Sequence, residues 1–302
     1  MSRTNMRSPP FLFVYIGVIA AIVTASAVYS FTQNSNEQPL RPGDYHVTLT
    51  YQGLARSYVL HVPPQYDGNT SLPLVIALHY LGVDAETFAN VSHLNEKADA
   101  EDFFVVYPQG LNNSWNAGSC CGSSSQQKVD DAGFIKAILV QLKSQLPVND
   151  SRVYAIGVSN GGMLAYSLAC DFPEDFAAIA SIAGTSVVEG CNATRPVSVL
   201  EVHGTADEVV PYNNTTRNES VFPVPPAVDA ISYWAQHDRT VSVQRQQVTN
   251  NVTETTYSGG SNGTEVVLYT VIGATHSQTF ANPIPTLDLV WRFLELHPRQ
   301  SA

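Results

Sequence analysis

Short apolar runs alternate along this chain with longer segments whose apolar residues recur every three or four positions. Residues 46–51 and 57–62 alternate apolar and polar side chains around the turn-forming Gln52-Gly53, which predicts a hairpin. Residues 72–78 are continuously apolar, as in a strand covered on both faces. Residues 85–100 carry a helical period, 103–107 form a second buried strand, and 130–146 a second helix. An apolar, partly β-branched run at 153–156 then enters Gly157-Val158-Ser159-Asn160-Gly161, and a Met/Leu/Ala-rich helix follows to Cys170. Strands at 176–182 and 197–203, a helix at 227–237, a polar antiparallel pair through Tyr257, a strand at 265–272 and a helix at 286–297 complete the pattern. Strand and helix alternating over this length predict an α/β fold. It has a mostly parallel central sheet, helices on both faces and no large cap domain, within one domain over 45–298.

The N-terminal segment has a different character. Arg3 and Arg7 precede an uncharged apolar run over 11–31, and Ala25-Ser26-Ala27 has the small-x-small form of a cleavage site. Residues 1–27 therefore read as a signal peptide, with an uncleaved anchor over 11–31 as the alternative and 28–44 as a polar linker. Either reading places the domain outside the cell, secreted or membrane-anchored. Ten N-x-[ST] sequences occur where composition alone predicts about three, which fits a glycoprotein. The even cysteine count of four agrees with an oxidising compartment. Three disulfide connectivities are open, and Cys170–Cys191 is favoured. The net charge of −11 argues against nucleic acid or anionic membrane surfaces as partners. Membrane contact is expected only through the N-terminal segment, if it stays uncleaved.

Ser159 sits on a strand-to-helix turn, the position of a nucleophile held on a strained backbone between small neighbours. An α/β-hydrolase orders its triad as Ser, acid, His, with each residue at the C-terminal end of a strand. Of the histidines after Ser159, His237 and His297 end helices. His203 ends a strand but leaves no strand-end aspartate between itself and Ser159. His276, directly after the strand at 265–272, is the candidate general base. Asp207, just past the strand at 197–203 and within His203-Gly204-Thr205-Ala206-Asp207, is the candidate acid. The backbone N–H of Asn160, directly after the nucleophile, is one expected oxyanion donor.

The motifs G-V-S-N-G-G-M at 157–163, H-G-T-A-D-E-V-V-P-Y at 203–212 and G-A-T-H at 273–276 resemble one esterase family. W-N-A-G-S-C-C-G at 115–122 followed by V-D-D-A-G-F at 129–134 carries the same resemblance more specifically. The family is that of secreted poly(3-hydroxybutyrate) depolymerases, feruloyl esterases and acetylxylan esterases, and the likeness runs from Tyr45 to Pro298. It implies the same triad, and it makes Leu81, in Leu78-His79-Tyr80-Leu81-Gly82, the second oxyanion donor. Family members usually have glycine where Tyr80 stands. Tyr80, Trp115 and Tyr212 are the candidate substrate-binding aromatics, with an ordinary core role equally open for Trp115. His79 reads as a brace for its loop. Asp130 and Asp131 read as caps of the helix they open, not as metal ligands. No metal cluster and no cofactor fingerprint is present in the sequence. The expected function is a secreted serine esterase acting through an acyl-enzyme. Its ester substrate is polymeric (polysaccharide or polyester) or small. The alternatives are a catalytically inactive exported binding domain and a serine peptidase of the same fold.

Overall fold

The computed structural model describes residues 40–188, 190–215, 221–280 and 286–300. The segment at 1–27 or 11–31 and the linker up to residue 39 lie outside the described residues. In chain order the elements are β1 (Gly43–Tyr51), β2 (Leu54–Val62), β3 (Leu72–Leu78), α1 (Ala85–Ser92), α2 (Leu94–Glu101), β4 (Phe104–Pro108), α3 (Gly122–Gln126), α4 (Asp131–Gln145) and β5 (Val148–Val158). They continue as α5 (Asn160–Asp171), β6 (Ala178–Ile182), β7 (Ser198–Gly204), α6 (Ala227–His237), β8 (Ser242–Thr249), β9 (Val252–Ser258), β10 (Val266–Val271), α7 (His276–Phe280) and α8 (Thr286–Leu296).

All ten strands belong to one sheet, ordered β1-β2-β4-β3-β5-β6-β7-β10-β9-β8. The central six, from β4 to β10, pair in parallel. Antiparallel hairpins extend it at each end. The first hairpin turns on Gln52 and Gly53, both at positive φ, the turn geometry whose twist matches paired strands. β3, β4 and β7 are buried at every position, whereas the edge strand β8 is exposed along its length and polar enough to resist further pairing.

Alternation along the central strands fills two cores. Leu74, Ile76 and Leu78 of β3 point to one face, with Phe134 of α4, Leu164 of α5 and Trp234 of α6. Val75 and Ala77 point to the other, with Phe88 of α1, Phe103 and Trp291 of α8. The Phe103 and Trp291 rings stack at 4.1 Å.

The single helix expected over 85–100 is two, broken at His93, which adopts φ 56. At 100° per residue, Leu94 and Ala98 would lie about 120° and 80° round a straight helix from Phe88, off the side that it turns to the sheet. The break lets all three bury against the sheet. Two five-residue helices, α3 and α7, were not expected, since neither is long enough to show an apolar period. Among the described residues no helix is long and apolar enough to cross a membrane.

Cys170, at the end of α5, is bonded to Cys191, with Cα atoms 5.4 Å apart, as favoured from the sequence. Cys120 and Cys121 pair with each other. The Cys170–Cys191 link spans 21 residues, and its loss is expected to lower stability by about 3 kcal/mol. Chemical denaturation of the Cys170→Ala/Cys191→Ala variant measures this.

Candidate active site

The turn between β5 and α5 explains its own glycines. Ser159 adopts φ 53 and ψ −117, a strained conformation for a residue with a side chain. A Cβ at Gly157 would collide with the Gly161 carbonyl, and one at Gly161 with the carbonyls of Leu78 and His79 on the neighbouring strand end. The serine is thus raised above the C-terminal end of the central strand β5 because the chain can cross so closely beneath it. α5 is buried from Asn160 through Cys170 and begins one residue after Ser159. The Asn160 N–H lies in the first turn, where no intrahelical acceptor exists.

Three strand ends converge here. Ser159 follows β5, Asp207 follows β7 and His276 opens α7 shortly after β10. His276 Nε2 lies 2.9 Å from Ser159 Oγ, and its Nδ1 lies 2.7 Å from Asp207 Oδ2. Asp207 Oδ1 accepts from the backbone N–H groups of Val209 and Val210, at 2.9 and 2.8 Å. Burial alone would raise this carboxyl, but hydrogen bonds from His203 and His276 hold it well below the usual carboxylate range. The Asp therefore stays ionised, fixes the Nδ1–H tautomer and leaves Nε2 free to accept the serine proton.

The loop after β3 is held from below. His79 is fully buried and its Nδ1–H donates to the Tyr80 carbonyl at 2.9 Å, while Nε2 accepts from the Gly110 N–H at 3.0 Å. Burial pushes its pKa down to about 4, in keeping with the neutral ring that this pair of partners requires. Gly82 N–H donates to the Asn113 carbonyl at 2.8 Å. Leu81 is exposed at the loop's crest. Half-buried Tyr80 packs edge-on against Phe88 at 6.2 Å. Tyr212 is also half-buried, its hydroxyl 2.9 Å from Thr270 Oγ1 and its ring 6.1 Å from that of His203.

Trp115 is corrected by the structure. It is completely buried, lies tilted against the His79 ring at 4.6 Å and donates its indole N–H to the His79 carbonyl at 2.8 Å. No face remains for a substrate. The Asn160 side chain bonds both backbone groups of Trp115, at 2.7 and 3.1 Å, so this tryptophan ties the β3 loop to the head of α5. The acidic pair is divided in role. Asp130 caps α4 through Gly133 N–H, as expected. Asp131, read as a second cap, instead forms a buried ion pair with Arg56 at 2.7 Å and accepts from Asn116 N–H at 2.8 Å. Asp131→Ala strands a buried guanidinium, with an expected cost of about 3–5 kcal/mol readable as a drop in Tm.

Sequence reasoning set His203 aside, and the structure places it directly behind the acid. Its Nε2 is 3.3 Å from Asp207 Oδ2 and its Nδ1 is 2.8 Å from Glu201 Oε1, all three side chains being fully buried. The available signal was Glu201 itself, a lone carboxylate in the apolar strand V-L-E-V-H.

The family model for esterase PHB depolymerases matches residues 56–255. The chain belongs to that family. A protein named "Probable feruloyl esterase C" from Aspergillus clavatus is 30% identical over 68% of this chain and 72% of its own length. A bifunctional acetylxylan esterase/xylanase of Neocallimastix patriciarum is 32% identical over 53% of this chain, which spans only 23% of that protein. Several other relatives are spanned over about half their length. An acetyl xylan esterase from Aspergillus awamori shares the fold at TM-score 0.63, covering 84% of this chain and 99% of that one, at 16% identity. As a member of the esterase PHB depolymerase family with an α/β-hydrolase fold, this chain is a carboxylic ester hydrolase.

Proposed function

We propose that Ser159, His276 and Asp207 perform this hydrolysis as nucleophile, base and acid. The observation that carries the reading is the unbroken line Ser159 Oγ, His276 Nε2, His276 Nδ1, Asp207 Oδ2 at 2.9 and 2.7 Å. Ser159 Oγ attacks the ester carbonyl as His276 Nε2 takes its proton, and the resulting imidazolium returns that proton to the departing alcohol. Water then attacks the acyl-enzyme by the same route, and Ser159 recovers its proton as the acid leaves. The N–H groups of Asn160 and Leu81 serve the developing oxyanion. The reading is supported for Asn160 by its place at the helix head and for Leu81 by the braced loop.

The substrate class we infer is an ester of a short or planar acyl group, acetyl or hydroxycinnamoyl, attached to a polysaccharide. Relatives named for feruloyl and acetylxylan esters support this. Tyr80, half-buried beside Leu81 where the family usually has glycine, is read as the residue that limits the acyl group. Among acetyl, butyryl, feruloyl and decanoyl esters, kcat/KM is expected to be lowest for decanoyl. Tyr80→Gly is expected to raise the decanoyl value selectively, by about 10-fold. A wild-type optimum on decanoyl, or an equal change for all four esters, contradicts the assignment.

Export also belongs to this reading. Its support is the apolar N-terminal segment with its Ala25-Ser26-Ala27 site. Of the nine sequon asparagines among the described residues, none is buried.

A further inference from the structure

Behind Asp207 lies a second histidine–carboxylate pair that the three-residue mechanism does not use. Glu201 and His203 sit two residues apart on β7, so their side chains share one face of the strand, and His203 to Asp207 then spans the turn beyond it. Each partner of His203 restricts its protons. Nε2 faces the Val210 carbonyl at 3.0 Å, a group that can only accept, so Nε2 must carry a hydrogen. That same N–H is 3.3 Å from Asp207 Oδ2. Nδ1 faces Glu201 Oε1 at 2.8 Å, with one proton on the line between them. Glu201 is otherwise satisfied, Oε1 accepting from Gly184 N–H at 3.2 Å and Oε2 from Tyr166 hydroxyl at 3.1 Å. Every member is buried beyond the reach of solvent, where each such bond is strengthened.

The consequence falls on the geometry of Asp207. Its Oδ1 is held by two backbone N–H groups, but those alone leave the carboxylate free to pivot about that oxygen. The atom facing His276 is Oδ2, and His203 is the other donor that reaches it. We propose that His203, braced by Glu201, is a positioning residue that fixes Oδ2 of Asp207 in line with Nδ1 of His276. The inference rests on the triad reading above. Glu201 fixes the ring from its other nitrogen: the two carboxylates push His203 up to about 10 against its burial, while burial pushes Glu201 up, so the proton shared by Nδ1 and Glu201 Oε1 is retained at neutral pH.

A histidine that merely fills the core would affect stability and leave turnover alone. The two roles separate in a double-mutant cycle on the full chain with p-nitrophenyl acetate, each variant first shown to be folded by its thermal melt. Glu201→Gln keeps shape while removing the charge that retains the shared Nδ1 proton and so leaves His203 a neutral, weaker donor to Asp207, and His203→Gln removes the ring. Each is expected to lower kcat about 10–100-fold with KM within about twofold. In an Asp207→Asn background the same substitutions are expected to cost less than about twofold more, because they act through the carboxylate already lost. Should His203→Gln not fold, the isosteric Glu201→Gln carries the test. Wild-type kcat in folded Glu201→Gln, or an equal loss with and without the Asp207 carboxylate, overturns the proposal. Wild-type kcat in Asp207→Asn alone would instead remove the triad reading beneath it.

Discussion

Ser159→Ala is expected to lower kcat by at least about 10⁴-fold on every ester, a loss of roughly 5.5 kcal/mol of transition-state stabilisation. The substitution removes the atom that bonds the acyl group, so no acyl-enzyme forms and only direct attack by water remains. Stability is expected to change little. The side chain's hydrogen bond to His276 is worth about 1 kcal/mol net. The strained backbone at φ 53 is no worse for alanine than for serine. KM, where residual turnover permits its measurement, stays near the wild-type value because the cleft is unchanged. Steady-state kinetics beside a thermal melt check both halves. A variant retaining more than a few per cent of kcat while folded contradicts the nucleophile assignment.

His276→Ala is expected to cause a loss of similar size, about 10⁴-fold or more, since the serine hydroxyl then has no base and the alcohol no acid. Residues acting as a unit are not additive, so the Ser159→Ala/His276→Ala double variant should be no slower than the worse single one. His297→Ala is the control. That histidine bonds the Phe293 carbonyl at 2.7 Å and pairs with Glu265 at 3.3 Å, in the C-terminal helix region away from the three converging strand ends. Its kcat should stay within about twofold of wild type. Activity surviving His276→Ala but not His297→Ala would mean that the wrong histidine had been chosen.

Much of the architecture was legible because the central strands are so apolar. The strand 72–78 and the helix 227–237 match β3 and α6 residue for residue, both having sharp apolar boundaries. The triad candidates were legible from order, since each stands just past a strand that the pattern itself located. What stayed hidden depends on how distant segments meet. The break at His93 is set by the sheet that Phe88, Leu94 and Ala98 must all reach, and no local rule places a left-handed histidine there. Trp115 gave no sign of its burial, because its cover comes from His79 and Asn160, far away in sequence. The W-N…D-D stretch, which carried the family resemblance and whose aspartates read as helix caps, is a brace: Asn116 and Arg56 both converge on Asp131. His203 was set aside by a rule that asks only which histidine can reach serine. A buried glutamate two residues before it, with no visible partner, was the warning.

The most direct test is mass-mapping of the protein after reaction with a stoichiometric p-nitrophenyl alkylphosphonate, which phosphonylates only a serine whose hydroxyl is deprotonated by a neighbouring base. The predicted result is one adduct per chain, on the peptide containing Ser159, with activity lost in proportion. Ser159→Ala and His276→Ala should both stay unlabelled. An adduct on another residue, or full activity in protein labelled at Ser159, would contradict the assignment of Ser159 and His276 as the reacting pair.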